Sequence, residues 1–346
     1  RGNSNTSTSN DTSSYSASLT ARQNLFSGFS SLSKSQKAEA NIESQSATYR
    51  SVKADVSYDL WQAFSLVLYA QDYIKLSEEN IKRRKDNLDL VQLRFEGGME
   101  NKGSYLLSKA ALQEAEYDQL QAQHLLQTAK QQLASVMGRK EIAEDVKITG
   151  ELPLSDPEKN INIHSIVEQL PEHQAAVAKS KAYKADLRLA RSYFYPSLDI
   201  MGQTSKFGSS WPLPNNQWSA MVSLSVPLFN GGRDFYSTYS ADSKWSASLF
   251  EQQQTDLDLL YQLRQTYNSF LDSIEKVKVY KSFVEAAKTR AKIARSKYNT
   301  GLLSFENWDI IENDLINKEK VNIQALRDRR IAEAAWMRSQ SKGVFE

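Results

Sequence analysis

Two kinds of hydrophobic periodicity alternate along this chain. In Ser14 to Leu25 and in Trp218 to Leu228, apolar residues occupy every second position, and small polar residues fill most of the positions between them. Alternation of this kind is typical of β-strands with one apolar face. A third segment, Tyr195 to Phe207, alternates less regularly. The pattern therefore predicts three strands.

Long helices follow the strands. From Gly232 to Lys297 the sequence has no internal proline or glycine, and its apolar residues recur at steps of three and four. This spacing forms the heptad seam of a coiled coil. The first half of the chain carries the same kind of seam. The seam residues are Leu60, Phe64, Val67, Ile74, Ile81, Leu88, Val91 and Phe95 in the first half, and Leu260, Leu263, Tyr267, Phe270, Ile274, Val277, Tyr280, Val284, Ala287, Ala291, Ala294 and Tyr298 in the second.

Each long helix is predicted to end at a glycine turn and to be followed by a shorter helix. The turns fall at Gly97-Gly98 and at Gly301, because a glycine adopts the left-handed conformation of a helix end with little strain. The shorter helices are predicted from about Ser104 to Met137 and from Phe305 to Gln340. Short turns between such helices make antiparallel hairpins.

A tandem duplication relates the two halves of the chain. Leu25-Phe26-Ser27-Gly28 recurs as Leu228-Phe229-Asn230-Gly231, and Arg94 to Gly98 recurs as Lys297 to Gly301. Both pairs are offset by 203 residues (228 against 25, and 297 against 94). One offset shared by two separate marks is the signature of an internal repeat.

The two repeats differ at their beginnings. The second repeat contains a helix and a strand, about Ile163 to Phe207, ahead of its Trp218 strand. By the same offset, their counterparts in the first repeat fall upstream of Arg1. We therefore expect the first strand and the first helix of repeat 1 to precede residue 1.

The composition excludes several kinds of chemistry. The chain has 43 basic and 41 acidic residues and a net charge of +2, so no strong positive field is available for nucleic acid. It has no cysteine, which excludes disulfides, thiolate metal sites and cysteine nucleophiles. Its histidines, His124, His164 and His173, are too scattered for the spacing of a zinc site. We therefore predict no enzymatic activity, no cofactor and no metal site.

The predicted strands need partners. Three strands with one apolar face have no core of their own, and an isolated ribbon is only marginally stable. Their length suits a tilted membrane strand, and aromatic residues cluster near their ends. Further copies of the same chain are the simplest partners. The clustered aromatic residues are Tyr15, Phe26, Phe194, Tyr195, Trp211, Trp218 and Phe229.

Several junctions resemble those of one protein family. Val226 to Gly232 resembles the strand-to-helix junction, and Ala190 to Leu198 the helix-to-strand junction, of the TolC-like outer-membrane efflux proteins. Leu170 to Ala176 is similar to the helix start that the family places upstream of the latter. Phe95 to Gly98 and Tyr298 to Gly301 match its helix-tip turns. The resemblance covers essentially the whole chain.

The resemblance implies both a fold and a function. The implied fold is mainly α with membrane β-strands, in which a long coiled-coil α-helical barrel joins a β-barrel shared by a homotrimer. The implied location is the outer membrane of a Gram-negative bacterium, with an extension into the periplasm. The implied function is the exit duct of a tripartite efflux or type I secretion system for small molecules or proteins. The implied partners are outer-membrane lipid, a periplasmic adaptor (membrane fusion) protein and an inner-membrane transporter, without nucleic acid.

The same resemblance divides the chain into regions. The barrel strands with their extracellular loops are residues 13–29 and 194–230, and the periplasmic helical hairpins are residues 30–138 and 231–340. The equatorial region, residues 139–166, contains Pro153 and Pro157, and residues 167–193 form a helix that leads into the barrel.

The helix tips are the candidate functional site. In the family, the tips close the periplasmic mouth through side-chain links and acidic rings. Tyr298 matches a tip tyrosine of that lock, whereas Leu303 stands in place of an arginine and Asn307 in place of a ring aspartate. Charged residues nearby either line the gate or cap helices, since acidic groups are favoured at a helix start. The gate candidates are Gly98, Glu100, Lys102, Tyr298, Gly301, Glu306, Asn307 and Asp309, and the barrel-to-helix junction candidates are Phe26, Gly28, Pro227, Phe229, Gly231 and Gly232.

A second class of function fits part of the pattern. A structural, filament-forming coiled-coil protein of the secretion or surface type also combines long helices with termini rich in serine, threonine and asparagine. Such a subunit has no need of an amphipathic strand followed by Phe-x-Gly before each long helix. The two hypotheses differ in whether the protein partitions with outer membranes and requires detergent.

Overall fold

The computed structural model describes residues 14–140, 150, 155–156 and 161–343, most of which are helical. The mainly α fold with a small sheet that the sequence predicts is confirmed. Most of the predicted equatorial region, including Pro153 and Pro157, lies outside the described residues. The elements are β1 (Tyr15–Ser27), α1 (Ser30–Glu96), α2 (Lys102–Val136), α3 (Ile163–Val167), α4 (Pro171–Ser192), β2 (Ser197–Gly208), β3 (Asn215–Ser225), α5 (Arg233–Asn299) and α6 (Phe305–Ser339).

The helices repeat with the spacing that the duplication predicts. α1 and α5 are both 67 residues long and begin 203 positions apart, at residues 30 and 233. α2 and α6 are both 35 residues long and begin at residues 102 and 305, which is the same offset. The hairpins α1-α2 and α5-α6 are therefore copies of one unit.

The chain divides into two compact units. The first comprises the chain up to Ser46 together with Gln174–Gln254, and it contains the sheet and α4. The second comprises Ala47–His173 and the chain from Thr255 onward, and it contains both hairpin turns. Among the described residues, no helix has both the length and the hydrophobicity to cross a membrane.

Small residues let the paired helices of the second unit approach closely. On α2, buried alanines recur every seven residues at Ala115, Ala122 and Ala129. Ala129 joins Val67 of α1 in one hydrophobic cluster. In the second hairpin the predicted seam residue Phe270 is buried in a cluster that also includes Leu263, Ile274 and Trp336. The heptad seam predicted for α5 is thus the surface that α5 buries there.

The three strands form one antiparallel sheet in the order β1-β2-β3. Successive rows of paired residues project to opposite sides of a sheet. We call the two sides the apolar face and the polar face. The rows of the apolar face are Ala17-Lys206-Asn216, Leu19-Thr204-Trp218, Ala21-Gly202-Ala220, Gln23-Ile200-Val222 and Phe26-Leu198-Leu224. Those of the polar face are Ser16-Phe207-Asn215, Ser18-Ser205-Gln217, Thr20-Gln203-Ser219, Arg22-Met201-Met221, Asn24-Asp199-Ser223 and Ser27-Ser197-Ser225.

A β-bulge in β1 corrects the predicted apolar row. The alternation in the sequence groups Leu25 with Leu19 on the apolar face. The register shifts between Asn24 and Phe26, so Phe26 rather than Leu25 pairs with Leu198. The extra residue of a bulge has no direct partner on the opposing strand, and the side chains beyond it change sides. Phe26, a predicted junction residue, therefore lies on the apolar face.

The third strand is shifted relative to its predicted bounds. β3 runs from Asn215 to Ser225, whereas the sequence pattern extends it to Leu228. Pro227 explains the early end, because proline has no backbone N–H to donate to a neighbouring strand. Pro227 and Phe229 consequently belong to the segment between β3 and α5, where Phe229 is exposed.

Both strand-to-helix junctions place two consecutive residues in the left-handed conformation. Before α1 these are Gly28 (φ 60°) and Phe29 (φ 68°), and before α5 they are Gly231 (φ 62°) and Gly232 (φ 80°). Gly28 and Gly231 are equivalent positions of the two repeats. The same backbone bend therefore precedes both long helices.

The surroundings of the two equivalent glycines differ. A Cβ atom at Gly28 would lie 2.6 Å from the Ser192 carbonyl oxygen and 2.7 Å from the Tyr195 Cβ. At Gly231, no atom of the described residues lies within 4 Å of such a Cβ. The neighbouring Phe29 also packs edge-on against Tyr195, with ring centroids 5.9 Å apart. The junction before α1 is thus pressed against the end of α4.

We expect Gly28→Ala to lower stability more than Gly231→Ala. Both substitutions force alanine into the left-handed region at about 1–2 kcal/mol, but only Gly28→Ala adds a clash with fixed backbone. The measurement is the midpoint of thermal unfolding of each variant purified in detergent. Equal shifts in the two variants would mean that the contact with α4 gives way without a measurable loss.

Candidate functional site at the hairpin turns

The two hairpin turns share one backbone geometry. After α1, the Gly98 N–H donates to the Phe95 carbonyl (3.0 Å) and the Met99 N–H to the Arg94 carbonyl (2.8 Å). After α5, the N–H groups of Gly301 and Leu302 donate in the same way to residues 298 and 297 (3.0 and 2.8 Å). This pair of bonds is a Schellman motif, which requires a left-handed residue. Gly98 and Gly301 provide it, with φ of 70° and 76°.

The following helices begin with equivalent caps. The Asn101 side chain accepts a hydrogen bond from the Ser104 N–H (2.9 Å), and the Ser304 hydroxyl accepts one from the Asn307 N–H (3.4 Å). Each cap satisfies a backbone donor that the first turn of a helix leaves free. Glu306 lies exposed in the first turn of α6, where the helix dipole favours an acidic group.

Each repeat stacks two aromatic rings beside its turn. In the first repeat Phe95 stacks on Tyr105, with centroids 5.7 Å apart and an interplanar angle of 11°. In the second, Tyr298 stacks on Trp308 at 4.3 Å and 16°. The two pairs are related by the offset of 203 residues. The stack is therefore a property of the repeated unit.

The second stack forms the core of the site. Tyr298 and Trp308 are each only 1% exposed, whereas Phe95 and Tyr105 are half-buried. Val91 of α1 belongs to the same cluster, together with Ala294 and Phe305 of the second hairpin. We call this group the tip cluster. It joins the two hairpins of one chain beside their turns.

Arg94 of α1 packs against the tip cluster and bonds to it. Its Nη1 donates to the Tyr298 carbonyl oxygen at 2.6 Å, and its Cζ lies 4.7 Å from the centroid of the Tyr298 ring. The guanidinium therefore donates to a carbonyl at the end of α5 and lies over an aromatic ring. Its positive charge is also stabilised by the negative, C-terminal end of the α5 helix dipole. One side chain thus links the two long helices in three ways.

Glu100 links the first turn to the second hairpin. Its Oε2 accepts the Tyr298 hydroxyl at 2.9 Å, and its Oε1 accepts the Asn101 N–H at 3.2 Å. Burial, together with the hydrogen bond to Glu100, raises the pKa of Tyr298 well above its ordinary value. Tyr298 therefore remains a protonated donor at any physiological pH. The structure brings together two residues that the sequence proposes separately as gate candidates.

The helix seam beyond the tip cluster is polar, which the sequence pattern does not predict. The predicted seam residues Ile74, Ile81 and Leu88 are only half-buried. The fully buried positions of α1 in this stretch are instead Ser77, Asn80, Arg84 and Asn87. They are spaced by three and four residues and so form a seam of their own.

Arg84 pairs this polar seam with α6. Its Nη1 lies 3.1 Å from Asp309 Oδ1, and its Nη2 donates to Asn313. The Asn313 amide in turn donates to the other carboxylate oxygen of Asp309 at 2.9 Å. Asp309, a gate candidate, is therefore paired within the chain. Of the two acidic candidates on α6, Glu306 is the exposed one.

Glu312 is the least compensated charge of the polar seam. It is 3% exposed, and its Oε2 has no hydrogen-bond partner among the described residues. Burial raises its pKa, and this effect is opposed by Arg83 and Arg84. Two helical turns further on, Glu319 is buried but doubly paired, with Arg83 at 3.2 Å and Lys288 at 3.3 Å.

The other predicted residues have simpler surroundings. Lys102 and Asn307 are exposed. His124 and His164 are exposed, and His173 contacts Asp256 with its Nδ1 at 2.7 Å. Within the part of the chain that the structure describes, no group of three or more potential ligands could hold a metal ion.

Sequence reasoning missed Arg94, Trp308, Arg84 and Glu312. The duplication could have identified Trp308, because Tyr105 and Trp308 are repeat equivalents next to matching turns. Heptad spacing could have placed Arg84 on a seam, but charged residues are normally assigned to the solvent side. Only the packed helices show that Arg84 of α1 faces α6 and that Glu312 of α6 faces α1.

We expect Glu312→Gln to change the pH dependence of stability. A carboxyl group with a pKa raised by folding stabilises the fold below its unfolded pKa, and that stabilisation is lost as the pH rises through the folded pKa. Glutamine cannot ionise, so the variant should gain stability relative to the wild type as the pH rises above 4.5, the ordinary pKa of a glutamate side chain. The measurement is the unfolding midpoint at each pH.

Glu319→Gln is the matched control for this experiment. It removes the charge from a carboxylate that pairs with Arg83 and Lys288, so it should lower the midpoint at neutral pH. If both glutamine variants shift the unfolding midpoint in the same direction at pH 8, the difference in ion pairing between Glu312 and Glu319 does not affect stability, and the prediction is wrong.

Comparison with known proteins gives one consistent result. A family model described as outer membrane efflux protein matches residues 1–139 and 162–339. The alkaline protease secretion protein AprF of Pseudomonas aeruginosa is 24% identical over 340 residues, which cover 95% of this chain and 69% of AprF. The outer membrane protein OprJ of the same species is 21% identical over 318 residues, 90% of this chain and 65% of OprJ. The chain thus spans about two thirds of the length of these relatives.

Solved structures show the same fold. The crystal structure of the open state of the MtrE outer membrane channel of Neisseria gonorrhoeae superposes with a TM-score of 0.81 at 16% identity, over 96% of this chain and 81% of MtrE. The similarity therefore shows that the fold of this chain is a known one.

Proposed function

This chain belongs to the outer membrane efflux protein family, and on that basis we propose that a homotrimer of it forms an exit duct through the outer membrane. The duct would serve a tripartite efflux or type I secretion system and export small molecules or proteins. Its partners would be a periplasmic adaptor protein and an inner-membrane transporter. No catalytic role is part of the proposal.

The sheet carries this proposal. Leu19, Trp218, Val222 and Leu224 are exposed on its apolar face, although they are large hydrophobic side chains. β1 and β3 form the two edges of the sheet, where unpaired backbone N–H and C=O groups can bond to further strands. Lipid would cover the apolar face, and strands from further copies of the chain would pair with the edges. A filament subunit would need neither of these features.

We expect Val222→Arg to impair insertion and Ser223→Arg to be tolerated. Val222 lies on the apolar face and Ser223 on the polar face, and arginine facing lipid at the bilayer midplane is unfavourable by about 2–4 kcal/mol. The measurement is the amount of detergent-extractable trimer in isolated outer membranes. Equal amounts for both variants would overturn the assignment of the faces, and wild-type protein that stays soluble without detergent would overturn the duct.

The tip cluster supports a gate within the duct. Arg94 and Glu100 of the first hairpin both bind Tyr298 of the second. These bonds hold the turns of one chain together, so widening a mouth lined by the turns would require them to separate. We propose that Tyr298 restrains opening from inside each chain, with Glu306 exposed at the rim.

We expect Tyr298→Ala to increase the single-channel conductance or open time in planar bilayers. The substitution removes a buried aromatic ring, a change that typically destabilises packing by about 3–5 kcal/mol. Tyr298→Phe should have a smaller effect, because it keeps the stack on Trp308 and removes only the bond to Glu100. Phe95→Ala, at the half-buried equivalent position, is the control. Unchanged conductance in Tyr298→Ala, with a lowered unfolding midpoint, would make Tyr298 a purely structural residue.

A further inference from the structure

The three strands carry only three charged side chains, Arg22, Asp199 and Lys206. The strand register separates them. Lys206 lies in the row of Ala17 on the apolar face, whereas Arg22 and Asp199 lie in adjacent rows of the polar face. The other side chains of the six polar-face rows are uncharged: Ser16, Phe207, Asn215, Ser18, Ser205, Gln217, Thr20, Gln203, Ser219, Met201, Met221, Asn24, Ser223, Ser27, Ser197 and Ser225. Arg22 and Asp199 are thus the fixed charges of that face.

The two charges contact one another across the strands. Arg22 Nη2 lies 3.5 Å from Asp199 Oδ1, and the Asn24 amide donates to the same oxygen at 3.1 Å. Diagonal neighbours on one face of a sheet are within reach of long side chains such as arginine. The carboxylate is therefore compensated by a cation and held by an amide from the same strand, β1.

Their exposure differs strongly. The Asp199 side chain is 19% exposed and the Arg22 side chain 68%. A solute that moves along the polar face would meet the guanidinium, with the carboxylate screened behind it. Removing one partner would leave the other as an uncompensated charge.

We propose that Arg22 and Asp199 set the charge selectivity of the passage at the level of the strands. The inference rests on the proposed duct, in which the polar face lines the lumen. In the native chain each carboxylate is masked by its arginine, so neither sign of small ion is strongly excluded there. The pair allows the passage to admit both cationic and anionic solutes.

The electrostatic argument gives the direction for each variant. Three unmasked carboxylates around the lumen would raise the local concentration of cations and lower that of anions. Their effect extends over about one Debye length, roughly 10 Å at 0.1 M salt and 3 Å at 1 M. Three unmasked guanidinium groups would act in the opposite sense.

The test is the ratio of K⁺ to Cl⁻ permeability, obtained from reversal potentials of purified protein in planar bilayers under a KCl gradient. At about 0.1 M salt, Arg22→Gln should raise this ratio about threefold to tenfold relative to the wild type. Asp199→Asn should lower it, and the double variant should return to near the wild-type ratio. All differences should shrink at 1 M salt.

Lys206→Gln is the matched control, because it removes the same charge from the other face of the same sheet. It should leave the ratio unchanged. If Arg22→Gln fails to assemble, Asp199→Asn tests the opposite sign with a less exposed side chain. Channels whose selectivity is the same in the wild type and in both single variants would overturn the inference while leaving the duct intact. A wild-type protein that forms no channel at all would instead overturn the proposed function.

Discussion

The contact between the two hairpins of one chain is the interaction on which the second unit depends. Two copies of one helical unit meet beside their turns through Tyr298, which is stacked on Trp308, covered by Arg94 and bonded to Glu100. Apolar burial, a cation over a ring and a charge-assisted hydrogen bond converge on this single side chain. Phe95, the equivalent residue of the first repeat, is half-buried and has no hydroxyl to donate to a carboxylate. Both repeats contain the stack, whereas the buried tyrosine bonded to Arg94 and Glu100 belongs to the second.

The polar seam next to this joint has a different physical character. Asn80, Arg84 and Asn87 of α1 and Glu312 of α6 are buried where leucine would give a more stable interface. Atoms of Asn80, Asn87 and Glu312 remain without partners among the described residues, so this stretch is held less firmly than the apolar clusters on either side. Buried polar residues on a coiled-coil seam restrict which helices can pair and in which register. The seam thus distinguishes α1 from its repeat equivalent α5 as a partner of α6, because α5 has Ala287 at the position of Arg84 and cannot pair with Asp309 there.

The sheet follows from another constraint, which is that one face must be covered and both edges must be paired. Its strands are long and two-faced, and the left-handed bends at Gly28 and Gly231 follow β1 and β3. These bends precede the long helices α1 and α5, whereas β2 follows α4. The proposed trimeric duct would meet both requirements, because lipid would cover the apolar face and further copies of the chain would pair the edges.

The sequence by itself determined the elements, the repeat and the family. Period-two and heptad patterns, together with glycines at fixed spacing, depend on local backbone geometry, and so they placed β1, α5 and the turns at Gly98 and Gly301 close to their observed bounds. Only the tertiary structure decided which residues face one another. The bulge that replaces Leu25 by Phe26, the burial of Arg84, the pairing of Asp309 and the bond from Tyr298 to Glu100 all depend on partners about 170 to 230 positions away in the chain. No local pattern records such partners, because burial of a charged side chain becomes favourable only when an opposite charge from another element lies within a few ångströms.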